Sequence, residues 1–158
     1  MSQYDFDSNQ EGDWEEPEKV ANSIKIMKIK HAVLTSVDRD DLKDMGTLIW
    51  TETIKSIRRL SPNTTLETLI PDFQGIERNI DRIVQANPEV VSHNVETVRR
   101  LTREVRIQAK YDRSLEVLRY LKEKGINQYY HHQHPKCGVQ NIAHDCLLYI
   151  ACPLNCFC

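Results

Sequence analysis

A chain of 158 residues with 21 basic and 23 acidic side chains, a formal charge of -2 and a pI near 6.3 can build one domain with a real core. It has no positive field with which to hold a phosphate backbone, so nucleic acid is not an expected partner. The start, MSQYDFDSNQEGDWEEPE, is acidic and polar where a signal peptide is basic and then apolar, and no later apolar run is long enough to cross a bilayer. The expected place is the cytoplasm, where thiols stay reduced and the five cysteines serve metals more readily than disulfides.

Pro17 suits the first turn of a helix, and Val20, Ile24 and Met27 follow at i, i+4 and i+7, which predicts an amphipathic helix. HAVLTS (residues 31–36) is too short for a helix and reads as a buried parallel strand, followed by an Asp-rich loop. From about Met45 to Leu60 the apolar positions Trp50, Ile54 and Ile57 return to helical spacing, and SPN at 61–63 stops the helix. TTLETLI is the second strand, ended by Pro71; Ile76, Ile80, Ile83 and Val84 mark a third helix, ended at Asn87 and Pro88; EVVSHN is the third strand. A fourth helical stretch begins near VETVRRL, and a fifth carries Tyr111, Leu115 and Leu118 up to a cap at Gly125. GIN then opens like a strand with no pattern to continue it.

Short strands alternating with longer helices define an α/β protein with a parallel sheet, and in such sheets ligands bind at the carboxyl ends of the strands. Three segments fall there: TSVDRDDL, PDFQG and HNVETV. The first offers Asp38, Arg39, Asp40 and Asp41, suited to a cation, a polar substrate or a basic partner, and equally to a solvated loop that caps the next helix. PDFQG has the composition of a plain turn. In the third, His93, Asn94 and Glu96 crowd a strand end; Asn and Glu suit a ribose or an amino group, while Asn94 or Thr97 suits a helix cap as well. Arg103 and Arg106 fit either a ligand carboxylate or solvent.

Taken together, EPEKVANSIKIMKIKHAVLTSVDRDDLKDMG, TTLETLIPDFQG, VVSHNVETVRRLTREVR and YDRSLEVLRYLKEKG, in this order and spacing, resemble lipoyl synthases, members of the radical S-adenosylmethionine enzymes. The resemblance runs from about Glu16 to Asn127. It implies an incomplete (βα)6 TIM-type barrel of about three to four βα units with parallel strands. It also implies a reaction, insertion of sulfur at C6 and C8 of an octanoyl chain carried on a lysine. Family cofactors are S-adenosylmethionine and two four-iron four-sulfur clusters, and the protein partner is an octanoylated lipoyl carrier domain or glycine cleavage H protein. By position, Asn94, Glu96, Arg106 and Ser114 would bind the cofactor, and Thr35, Ser36, Asp38 and Arg39 would form a loop facing substrate or carrier.

The chain also departs from the family. The cluster cysteines of lipoyl synthases precede the segment that begins here at Glu16, whereas this chain has no cysteine before Cys137, so no metal ligands are assigned and activity of this chain alone is not expected. Every cysteine and four of the six histidines follow Gln128, and from Tyr129 onward only Lys136 and Asp145 carry an ordinary charge. The expected division is a non-family, disordered 1–15, a partial barrel at 16–127 and a non-family, disordered tail at 128–158. The closing CPLNCFC is no CxxxCxxC loop: Cys152 and Cys156 have the right gap, but Cys158 comes one residue early. An alternative reading is a non-catalytic metal-binding module built from His131, His132, His134, Cys137, His144 and Cys146, whose spacings match no paired-ligand zinc knuckle.

Overall fold

The computed structural model describes residues 14–96, 98–105, 108, 110–126, 128–132 and 149–151. The predicted alternation is present. Helix α1 (Glu16–Met27) leads into strand β1 (His31–Thr35), α2 (Thr47–Leu60), β2 (Thr65–Ile70), α3 (Glu77–Ala86) and β3 (Val90–Val95). A 3-10 turn at Arg99–Leu101 and the short α4 (Thr102–Val105) precede α5 (Tyr111–Glu123), then β4 (Gln128–His132) and β5 (Tyr149–Ala151).

All strand pairings are parallel, in the order β4-β3-β2-β1-β5. Register decides which residues share a face. Ala32 lies opposite Leu66 and Thr68 opposite Val91, so Ala32, Leu34, Leu66, Ile70 and Val91 fall on one side of the pleat. There they form one core with Ala21 and Ile24 of α1, Ile54 and Ile57 of α2, Ile80 and Ile83 of α3, and Val117 and Leu121 of α5. The other face holds buried Glu67 and Ser92, and the Ser92 hydroxyl donates to Glu67 Oε1 over 2.7 Å. At the amino ends of the strands, Glu89 ties elements together: its Oε2 accepts from the Leu66 N–H at 2.6 Å and from Arg58 of α2 at 2.7 Å.

Local chemistry explains the helix limits. In α1, Pro17 sits in the first turn with acidic neighbours Glu16 and Glu18, and Lys28, left-handed at φ 54, closes the helix by donating its N–H to the carbonyls of Ile24 and Lys25. Two predicted faces need correction. The α1 stripe is Pro17, Val20, Ala21 and Ile24, while Met27 is 51% exposed where the helix is already ending. On α5 the buried stripe is Ser114, Val117 and Leu121; Tyr111, Leu115 and Leu118 are only half-buried. Apolar spacing predicts a helix but not which of two adjacent stripes meets the sheet, and here the small Ser114 is turned inward.

The tail expected to be without order from residue 128 contributes two strands. Gln128–His132 extends the sheet beyond β3, with Val91 opposite Gln128 and Val95 opposite His132, and Tyr149–Ala151 pairs with β1. Parallel pairing is made by backbone groups, so the polar QYYHH gave no alternation by which to find it. Among the described residues β4 and β5 are the sheet edges, and five parallel strands with helices packed on one face form part of a TIM-type barrel.

Candidate functional site at the strand ends

The carboxyl ends of β1, β2 and β3 are adjacent, and each feeds a loop that carries acidic groups. After β1, Ser36 is fixed from two sides: its hydroxyl accepts from Trp50 Nε1 of α2 at 3.1 Å and donates to the Val37 carbonyl at 3.0 Å. Thr35, the last residue of β1, is half-buried beside it. Arg39 turns back on its own loop, donating to both carboxylate oxygens of Asp41 at 2.8 and 2.6 Å. Its stem lies over Gly46, whose φ of 77 is a left-handed conformation that strains any other residue, although a side chain there would only come into ordinary contact with Arg39. Asp44, buried, accepts from the Leu48 N–H at 2.8 Å and so holds the start of α2.

After β2, PDFQG is more than a turn. Phe73 and Gln74 both have positive φ, 45 and 53, and Phe73 is 1% exposed, so packing holds a conformation that costs a bulky residue energy. Asp72 braces it, accepting from the Gln74 N–H at 2.8 Å and from Arg113 Nε of α5 at 2.6 Å. Sequence reading missed Asp72 and Arg113 as site residues; the signal was there for Asp72, which follows a strand directly, but its partner lies 41 positions away.

On β3, His93 lies opposite Ile70 and is 5% exposed, and its Nδ1 is 2.9 Å from the Ile70 carbonyl oxygen. A carbonyl only accepts, so Nδ1 carries the proton and Nε2 is bare; that Nε2 is buried with no partner among the described residues. Burial holds the imidazole below its ordinary pKa, against the Ile70 carbonyl and the carboxylates of Asp72, Glu96 and Asp38. Asp38 feels the same groups. Its carboxyl is raised above the usual carboxylate range, first by desolvation, then by Asp72, Asp40 and Glu96, with His93 acting the other way.

The parallel register sets the ends of β1, β2 and β3 side by side, so Asp38, Asp72, His93 and Glu96 fall in one mouth at that end of the sheet. Asn94 and Glu96 are half-buried at its β3 side, and Ser114 is 3% exposed on the first turn of α5, which packs against β3. Arg106 lies outside the described residues, as do His134, Cys137, His144 and Cys146, and His131 and His132 enter only as backbone of β4. The mouth is rich in acceptors and suits a ligand that bears hydroxyl, amino or cationic groups. Among the described residues no three His, Cys, Asp or Glu side chains converge to hold a metal ion, and none is a cysteine, so they do not fit an iron–sulfur cluster. No described helix is long and apolar enough to cross a membrane.

A parallel sheet with its acceptors gathered at the strand ends agrees with comparison to known proteins: the Radical SAM superfamily profile matches residues 3–135, most of the chain. The chain belongs to the radical SAM superfamily. Within it, the chain is 86% identical over 116 residues to the lipoyl synthase of Flavobacterium johnsoniae, covering 73% of this chain and 40% of that protein. It is 84% identical to the lipoyl synthase of Flavobacterium psychrophilum and 78% identical to the mitochondrial lipoyl synthase of Nematostella vectensis, each over 116 residues with the same two coverages. The chain thus spans about 40% of the length of the curated relatives it matches.

Proposed function

We propose that this chain carries the S-adenosylmethionine-binding strand ends of a lipoyl synthase. The observation that carries the reading is the meeting of Asp38, Asp72, His93 and Glu96 at the ends of three adjacent parallel strands, in a chain so similar to lipoyl synthases. The donor set fits the cofactor: carboxylates, the Asn94 amide and a neutral imidazole accept from the hydroxyl and ammonium groups of an adenosyl amino acid and favour its positive charge. Asn94 and Glu96 hold the cofactor, with Arg106 and Ser114 nearby, and Thr35, Ser36, Asp38 and Arg39 face the octanoyl chain or its carrier. Ser36 does so from a fixed position, clamped by Trp50, whereas Arg39 is already paired with Asp41 and serves mainly to shape the loop.

When bound, S-adenosylmethionine supplies the radical that removes hydrogen from unactivated carbon in this family. The described residues bind, orient and exclude water, and since they include no cysteine they supply no thiolate ligand to a cluster. Sulfur insertion at C6 and C8 of octanoyl-lysine, the two clusters, the carrier-domain or H-protein partner and a cytoplasmic place belong to the proposal for the longer enzyme.

Isothermal titration of the chain with S-adenosylmethionine tests the reading. Asn94→Ala and Glu96→Ala are each expected to weaken binding about tenfold, the size of one or two lost hydrogen bonds to a charged or polar ligand. Unchanged affinity in both variants sinks the assignment.

A further inference from the structure

Three side chains of the mouth are accounted for by protein partners, and one is not. Asp72 is held by Arg113 and the Gln74 N–H, Ser36 by Trp50 and Arg39 by Asp41. His93 is fixed through only one nitrogen. The residue is 5% exposed, Nδ1 is committed to Ile70, and Nε2 is a buried acceptor with no described partner. Leaving such an atom unpaired is costly, so native proteins rarely keep one without a reason. The local setting gives the reason a direction. Asp38, Asp72 and Glu96 all lie close enough to act on the ring, and Phe73 and Gln74, beside Asp72, are held in a strained conformation. Strained backbone, gathered carboxylates and an orphaned acceptor at one strand end mark a place built to receive a donor.

We propose that His93 is a positioning residue of this mouth, whose bare Nε2 accepts a hydrogen from an amino or hydroxyl group of the bound ligand while Nδ1 stays on the Ile70 carbonyl. The Ile70 bond sets both the tautomer and the tilt of the ring, so the direction of the acceptor is fixed before the ligand arrives. A protonated ring would present a second donor to a cationic ligand and repel it. The proposal rests on the reading of the strand ends as the seat of S-adenosylmethionine and goes further by naming the residue that fixes the ligand's orientation there.

Long-range proton–nitrogen spectra of the full chain, labelled with nitrogen-15, test it, because they separate the two ring nitrogens. At neutral pH and without ligand, His93 is expected to show one protonated and one bare nitrogen. S-adenosylmethionine is expected to move the bare-nitrogen resonance upfield, as an accepted hydrogen bond does, with the other nitrogen still protonated. His93→Leu is expected to weaken binding about tenfold, and His93→Gln, which keeps an acceptor at similar reach, less than about threefold. If the backbone amides of Asn94 and Glu96 respond to the ligand while the His93 nitrogen does not move, the role of His93 is overturned and the ligand site stands. If neither responds, both fall. A nitrogen already hydrogen-bonded or protonated before ligand is added also overturns the proposal, because the acceptor is then filled by the protein itself.

Discussion

Asp38 shows how far neighbours change a side chain that sequence alone treats as an ordinary loop aspartate. Desolvation and the carboxylates of Asp72, Asp40 and Glu96 raise its pKa in the folded chain above that of the unfolded chain. An acid raised on folding binds its proton more tightly in the native state, so its favourable contribution is full below the unfolded pKa and is lost as pH rises through the folded one. At neutral pH the ionised Asp38 therefore opposes folding. Asp38→Asn is expected to raise the melting temperature at pH 7, and the gain should shrink toward zero below about pH 4, where the aspartate is protonated in both states. A gain that persists unchanged at low pH would mean that charge is not its cause. His93 shows the complementary case: HNVETV was legible as a strand end rich in polar groups, but nothing in that string says which imidazole nitrogen is committed or that the other is left without a partner.

Helix α5 separates what periodicity predicts from what packing decides. Its length and its cap at Gly125 followed from spacing and glycine, yet the face turned to the sheet is Ser114–Val117–Leu121, adjacent to the predicted Tyr111–Leu115–Leu118. The two stripes carry comparable apolar character, and only the fit against β3 distinguishes them. Leu121 is fully buried in the common core. Leu121→Ala is expected to cost about 2–5 kcal/mol in denaturant unfolding, and Leu118→Ala less than half as much. Equal costs would argue that the helix is rotated. The strand β4 is a second case of the same kind: backbone pairing to β3 creates it, and a sequence of Gln, Tyr and His gives no period to announce it.

Across the whole chain, the sheet is open among the described residues, with β4 and β5 each presenting one edge. Unpaired strand edges are templates for pairing with another chain, and a barrel removes them only when it closes. The chain is expected to self-associate, so that its sedimentation coefficient rises with protein concentration; a constant monomer value over a wide concentration range would contradict this. The alternation from α1 to β3 and the parallel direction of those strands were legible in the sequence, because spacing, proline and glycine placement and strand-length runs are local properties that each βα unit obeys separately, whereas β4 and β5 were not, and the superfamily was legible only through the resemblance of whole strings from Glu16 onward. Tertiary structure decided what the strand ends do. Asp72 meets Arg113 across 41 positions and His93 meets Ile70 across 23, so the mouth, its raised Asp38 and the bare His93 nitrogen exist only once the parallel register brings those loops side by side.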